Sequence, residues 1–201
     1  MTYDTFMYNN VAFDKLDGSS FRAKWTPKQS FSVFGTRTQL IDETTSFWGE
    51  MPRIFKKTHA ELLDALLRQT FHNEREITLF GEFLGVSSFA GNHNPAEPHR
   101  IVIFDALIGH KNHYFLKPKE FIKLFSPVVE IPRVVYEGNL NDSFIADVRA
   151  NKFNLSEGVV CKGLVTNGAY MGKVWMCKIK TQAYIDRLKQ TFGNEWEKYG
   201  E

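Results

Sequence analysis

The chain has 201 residues, 43% of them hydrophobic and 14% aromatic, enough apolar material for a substantial core in one large domain or two small ones. Its 25 basic and 23 acidic residues nearly cancel to a formal +2, so a nucleic acid would have to be held by a local basic patch rather than by overall charge. No run of about 18 apolar residues is present, so no membrane-spanning helix is expected, and Met1-Thr2-Tyr3-Asp4 lacks the basic and apolar regions of a signal peptide.

Residues 11–41 alternate apolar and polar with turn residues between, as in Phe31-Ser32-Val33-Phe34-Gly35, the pattern of antiparallel strands. Met51–Gln69 changes period: Ile54, Leu62, Leu63, Leu66 and Leu67 fall on one helical face, and Pro52 suits a first turn. Ile77–Val86 and Ile101–Ile108 read as strands, and Ser87–Arg100 between them, rich in Gly, Asn, Pro and His, reads as a loop. A short helix opened by Pro118 is expected over Lys117–Phe125. Val128–Tyr136 reads as extended, with Pro127 and Pro132 limiting helix formation. Asn141–Asn151 reads as a helix, Val159–Val165 and Lys173–Ile179 as strands joined by the turn at Asn167-Gly168, and Tyr184–Tyr199 as an amphipathic helix. No repeat, low-complexity tract or linker interrupts the chain, so residues 1–201 read as one α+β domain of antiparallel β-sheets flanked by helices.

The two cysteines, Cys161 and Cys177, lie in apolar strand-like runs that could be adjacent, and read as reduced, partly buried thiols of a cytosolic protein rather than a disulfide. The pairs His93/His99 and His110/His113 sit in polar, turn-like sequence with no cysteine beside them and no HExxH helix, so no zinc site is expected.

Charged side chains embedded in strands are costly to bury unless they are paired or bound to a ligand. Lys15 stands in Asp14-Lys15-Leu16-Asp17-Gly18, Glu82 in Leu79-Phe80-Gly81-Glu82-Phe83, and Asp105 behind Phe104. Glu157-Gly158-Val159-Val160-Cys161-Lys162 combines both signs. Lys178-Ile179-Lys180 puts two lysines on one strand face, because strand side chains repeat every second residue. Brought together, these residues would supply a nucleophile, carboxylates for a metal or a ribose, and cations for phosphates.

In this order the fragments resemble the covalent nucleotidyltransferase superfamily of DNA ligases, RNA ligases and capping enzymes. The set is Lys15-Leu16-Asp17-Gly18, Gly35-Thr36-Arg37-Thr38, Phe80-Gly81-Glu82-Phe83, Ile103-Phe104-Asp105, Glu157 to Lys162, and Lys178-Ile179-Lys180, spread over residues 15–180. The chain is most similar to the phage-type RNA ligases, in their nick-sealing and RNA-editing branch. DNA ligases carry an arginine five residues after the nucleophile, where this chain has Ser20, with Arg22 nearby. The resemblance implies an ATP-grasp-like nucleotidyltransferase domain and three steps: Lys15 attacks the α-phosphate of ATP, AMP passes to an RNA 5′-phosphate, and the 3′-hydroxyl displaces AMP. The cofactors implied are ATP and Mg²⁺ or Mn²⁺, and the partner is RNA with 3′-hydroxyl and 5′-phosphate ends.

The implied roles follow residue by residue. Lys178 and Lys180 neutralise the α-phosphate and stabilise charge in the transition state. Arg37 holds a phosphate or the RNA end through its planar fork, with Ser20 and Arg22 near that end. Glu82 meets the ribose hydroxyls, and Phe104 stacks on adenine. Glu157 binds a hydrated divalent cation, and Lys162 lies near the phosphates or base. Asp17 either positions Lys15 or a metal-bound water, or makes the turn with Gly18. Asp105 is divided in the same way between site support and local capping. Each has a plainer reading: Lys15 a solvated strand lysine, Lys178 and Lys180 an exposed strand face, Arg37 a surface ion pair, Phe104 one of 18 phenylalanines in the core.

The chain departs from the family after its last motif. Only about twenty residues follow Lys180, where DNA ligases and capping enzymes carry an OB-fold and many RNA ligases a helical domain. Three expectations stay open: a minimal ligase, a catalytic domain excised from a longer chain, or a protein whose partner replaces the C-terminal domain. The alternatives to an RNA ligase are a DNA ligase, a GTP-using capping-type enzyme, and a non-catalytic nucleotide- or RNA-binding homologue.

Overall fold

The computed structural model describes residues 9–86 and 96–199, with the side chains of residues 198 and 199 excepted. The chain forms two compact units, one built from the residues up to Leu16 together with those from Arg133 onward, the other from Asp17–Pro132. Each is a helix-flanked antiparallel sheet, as the α+β reading expects. The N-terminal tetrapeptide, His93 and residues 87–95 of the expected loop lie outside the described residues.

The first unit is a four-stranded sheet. Its strands are β1 (Asn10–Lys15), β8 (Val134–Gly138), β9 (Gly158–Leu164) and β10 (Val174–Lys180), in the order β10-β9-β1-β8. Alternation sorts its side chains. Ala12, Val159, Cys161, Trp175, Cys177 and Ile179 share a face that packs on Phe144 and Val148 of helix α4 (Asp142–Arg149). Helix α4 starts where Asn141 caps it by accepting from Phe144 N at 2.8 Å. Helix α5 (Gln182–Phe192) follows β10 directly, capped by Thr181, whose hydroxyl accepts from Tyr184 N at 3.2 Å. The expected Tyr184–Tyr199 helix is interrupted: Gly193 takes φ +55°, left-handed backbone that only glycine adopts freely, and α6 (Trp196–Tyr199) resumes after it.

The second unit is a six-stranded sheet of β2 (Ser19–Thr26), β3 (Ser30–Gly35), β4 (Leu40–Ile41), β5 (Ile77–Leu84), β6 (Arg100–Ile108) and β7 (Tyr114–Phe115), ordered β4-β3-β2-β5-β6-β7. One face carries Phe21, Trp25, Leu79, Ile101 and Ile103 into a core closed by Phe55, Leu63, Leu67, Phe121 and Phe125. Phe121 and Phe125 belong to helix α3 (Pro118–Phe125), which Pro118 opens as expected. The single helix expected over Met51–Gln69 is two, α1 (Glu50–Thr58) and α2 (Ala60–Thr70). His59 between them leaves helical geometry (φ −124°, ψ −35°), and its ring lies parallel to Phe55 at 5.6 Å. The break rotates the apolar stripe, so Leu63 and Leu67 are buried while Leu62 is 54% exposed. The extended stretch expected over Val128–Tyr136 is a strand only from Val134. Val128 N and Val129 N instead bond back to Phe125 O and continue the end of α3.

Candidate active site

In the first unit, antiparallel register decides which motif residues meet. Lys15 pairs with Gly158, which also pairs with Lys180, while Val11 pairs with Lys162, and Lys178 with Val160. Directly paired residues point to the same side, and positions two apart repeat it. Lys15, Lys162, Lys178 and Lys180 therefore share the face opposite α4. Glu157 enters just before β9, and its backbone carbonyl accepts from Thr181 N at 2.9 Å, which ties it to the end of β10.

Glu157 touches two of these lysines. Its Oε2 lies 2.6 Å from Lys15 Nζ and its Oε1 2.9 Å from Lys180 Nζ. All three side chains are largely withdrawn from water, at 17%, 3% and 10% exposure for Lys15, Glu157 and Lys180. A carboxylate buried this far is tolerable because both its oxygens are ion-paired. Lys180 Nζ also sits 4.8 Å over the Tyr184 ring, and buried Lys162 lies 5.2 Å over the ring of Phe13. Gly158 is what lets β10 approach: a Cβ there would stand 2.7 Å from Lys180 Cα and strike Ile179 O.

The strand bearing Lys15 is anchored one residue earlier. Asp14 N donates to Arg133 O at 2.9 Å, and the Arg133 guanidinium donates to Asp14 Oδ2 at 3.2 Å and to Phe153 O at 2.9 Å. Burial raises the Asp14 carboxyl above its ordinary value, and the Arg133 contact offsets part of that rise. Arg133, Tyr184 and Phe13 belong to no motif. They take their places through pairings more than 100 residues apart or through a helix docked behind a strand, and no local pattern announces them.

In the second unit, Gly18 fits where no other residue does. A Cβ would strike Phe83 O and come within 2.7 Å of Leu84, and Gly18 N donates to Glu82 Oε1 at 3.1 Å. This bond ties the glycine of the lysine motif to the Glu82 motif. Ser20 pairs with Glu82 and Arg22 with Phe80 across β2 and β5, so Ser20, Arg22, Phe80 and Glu82 share the face away from the core. Gly35, opposite Arg22, leaves space that the guanidinium fills. A bulge in β6 brings the half-buried Phe104 to 6.5 Å from Phe80, nearly parallel to it. Asp105 is buried within β6, and its Oδ1 accepts from Ala106 N at 3.2 Å. Asp17 lies with Gly18 between β1 and β2. Arg37 is exposed on the tight turn between β3 and β4, where Thr36 N donates to Gln39 O at 2.9 Å.

Solved structures share this fold. A variant of Naegleria gruberi RNA ligase with AMP and Mn superimposes at TM-score 0.67 with 20% identity, over 92% of this chain and 53% of that one. A second variant with ATP and Mn gives 0.68 and 20% over 92% and 53%, and the ligase with PPi gives 0.68 and 21% over 93% and 53%. The fold is the α+β nucleotidyltransferase fold of RNA ligases. The chain belongs to the RNA ligase family, whose model matches residues 10–175. No curated protein matches it. It spans about half the length of the solved ligases it resembles. Among the described residues, no helix is long and apolar enough to cross a membrane.

Proposed function

We propose that the protein is an ATP-dependent RNA ligase that joins RNA 3′-hydroxyl and 5′-phosphate ends through a lysyl-AMP on Lys15. The observation that carries this reading is the lysine face of the first unit: four lysines on one side of one sheet, with Glu157 bridging Lys15 and Lys180. Such a cluster fits a triphosphate, whose charge it offsets, better than it fits a structural role.

Lys15 Nζ attacks the α-phosphorus, the bond to the pyrophosphate oxygen breaks, and a phosphoramidate remains. The proton that Nζ must lose has Glu157 Oε2 in contact at 2.6 Å. Lys180 and Lys178 stabilise the charge that grows on the phosphoryl oxygens. In the second step an RNA 5′-phosphate oxygen displaces Lys15 from the phosphorus. In the third, the 3′-hydroxyl displaces AMP. In the second unit, Glu82 takes the ribose hydroxyls, Phe104 beside Phe80 offers a face for adenine, and Arg37, Ser20 and Arg22 serve the RNA end. A single buried carboxylate fits Mg²⁺ or Mn²⁺, which keeps most of its waters, and Glu157 is the residue that would hold it. When bound, the metal supplies charge neutralisation at the phosphates. The ATP, AMP, PPi and Mn carried by the Naegleria ligase structures support the same choice of nucleotide and metal class.

Incubation with α-labelled ATP and Mg²⁺, followed by mass analysis, is expected to show one AMP adduct, mapped to Lys15 and absent from Lys15→Ala. No adduct on the wild type, or an undiminished one on Lys15→Ala, refutes the mechanism. Offering GTP in place of ATP, and nicks with RNA or DNA on the 3′-hydroxyl side, separates RNA ligase from capping enzyme and DNA ligase.

A further inference from the structure

Arg133 stands opposite Asp14 because the register of β1 against β8 slips. Ala12 faces Tyr136, and the next residue, Phe13, faces Val134. The slip brings Arg133 rather than Val134 across from Asp14, and Asp14 N donates to Arg133 O at 2.9 Å. Opposed residues of an antiparallel pair point to the same side, so the two side chains meet. Asp14 follows Ala12 by two positions, which puts this meeting on the α4 face, behind the sheet from Lys15. There Arg133 Nη2 faces three oxygens: Asp14 Oδ2 at 3.2 Å, Phe153 O at 2.9 Å and Asn154 O at 3.3 Å. Phe153 and Asn154 belong to the segment between α4 and β9 that delivers Glu157. Asn151 and Asn154 turn that segment with left-handed backbone, φ +55° and +54°, and the Asn151 side chain bonds to both N and O of Leu155. One guanidinium thus grips the residue before Lys15 and two carbonyls just ahead of Glu157.

We propose that Arg133 is a positioning residue for the first step: it fixes the end of β1 and the segment before β9 in one frame, and so keeps Lys15 Nζ against Glu157 Oε2. The inference rests on the ligase reading. Lys15 and Glu157 meet at 2.6 Å from positions 142 residues apart. The β1–β9 ladder aligns Lys15 with Gly158, but Glu157 lies one residue before that ladder, so its approach depends on the segment that precedes it. The bond from Thr181 N holds Glu157 from the β10 side, and Arg133 holds the segment leading to it. The Arg133 side chain is 54% exposed, and so open an ion pair adds little to stability. Its weight falls on rate instead, because a reacting group misplaced by about 1 Å can lose about 10²-fold. The guanidinium sits on the far side of the sheet from the lysines, so it acts through the backbone and not on the phosphates.

The test uses the full chain with Arg133→Met and Arg133→Lys. AMP-adduct formation is timed across a range of ATP concentrations. Arg133→Met should be slower at saturating ATP by about tenfold or more, with the half-saturating ATP within about twofold of the wild type, the mark of a lost transition-state arrangement rather than lost ground-state binding. Arg133→Lys should recover part of the rate, since its ammonium can serve some of the three oxygens. Acetic anhydride labelling without nucleotide, mapped by mass, should modify Lys15 about fivefold faster in Arg133→Met, the shift in opening that one lost hydrogen bond gives. Lys28, exposed in the second unit, should keep its rate. Asp14→Asn, which weakens one arm of the clamp, serves if Arg133→Met does not fold, with the same directions and smaller size. An unchanged saturating rate with unchanged Lys15 labelling overturns the assignment. So does a raised half-saturating ATP at unchanged saturating rate, which would make Arg133 a phosphate contact. Absence of the adduct from the wild type defeats the ligase reading instead, while the labelling of Lys15 still decides whether Arg133 holds it at Glu157.

Discussion

Gly158 stands between two lysines of the site in register, paired with Lys15 on one side and Lys180 on the other. Its missing side chain sets how near β10 comes to β9. Gly158→Ala would press a methyl group on the backbone of Ile179 and Lys180, and the strand would have to shift. Overpacking against backbone costs about 1–3 kcal/mol. The expected outcome is a lowered melting temperature together with a larger loss of AMP-adduct formation, because Lys180 and the backbone bond from Thr181 to Glu157 both move with β10 and disturb the bridge to Lys15. Gly163→Ala serves as the comparison. On the same strand β9 but away from Lys15, its methyl group would meet Asn10 of β1 and Trp175 of β10, so it should cost stability with a smaller proportional loss of adduct. Equal proportional losses in the two variants would show that Gly158 matters only for folding.

At the scale of elements, two histidines of the second unit give it opposed pH responses. His59, at the break between α1 and α2, is buried, and burial holds its imidazole below the ordinary histidine value against the pull of the Ile101 backbone. Unfolding frees it to take a proton, so stability falls as pH drops through the ordinary value of about 6.5 and levels off below the lowered native value. His99, just before β6, is also penalised by burial, but the Val86 carbonyl and Glu50, 2.8 Å from its Nδ1, outweigh that penalty and raise it. Its contribution is complete below the ordinary value and is lost as pH rises through the raised native one. Urea midpoints measured across this range should show His59→Gln with a flatter acid limb than the wild type, and His99→Gln with a steeper one. Acid limbs of equal slope would mean that neither histidine titrates with folding. The break that places His59 could not be read beforehand, since neither Gly nor Pro marks it. Thr58 Oγ1 bonds to Ile54 O and contacts the His59 ring, and the Phe55 ring lies parallel to that imidazole, so the turn is set by side-chain packing.

At the scale of the whole molecule, the two sheets and most helices were legible because strand and helix periods mark the core faces, and Pro118 marks a helix start. The candidate site residues stood out because charged residues set in apolar strands need a reason to be there. What could not be read was register. Lys15 and Glu157 lie 142 positions apart, and only the pairing of β1 with β9 shows that they touch. Among the described residues, no three His, Cys, Asp or Glu side chains gather into a metal cage. A metal that acts at the phosphates is then expected to be needed for the reaction and not for folding. A chelator should abolish the AMP adduct and leave the melting temperature unchanged. A fall in melting temperature with chelator would reveal a structural ion.

The bridge made by Glu157 bears on how an anionic substrate gains entry. Lys15 and Lys180 already hold a counter-anion of the protein's own, so a triphosphate need not confront bare cations or strip water from them. On the proposed reading, its arrival would be an exchange of anions. Under the ligase proposal, each phosphate oxygen that took a lysine would release a carboxylate oxygen, leaving Glu157 able to hold a divalent cation that would neutralise phosphate charge.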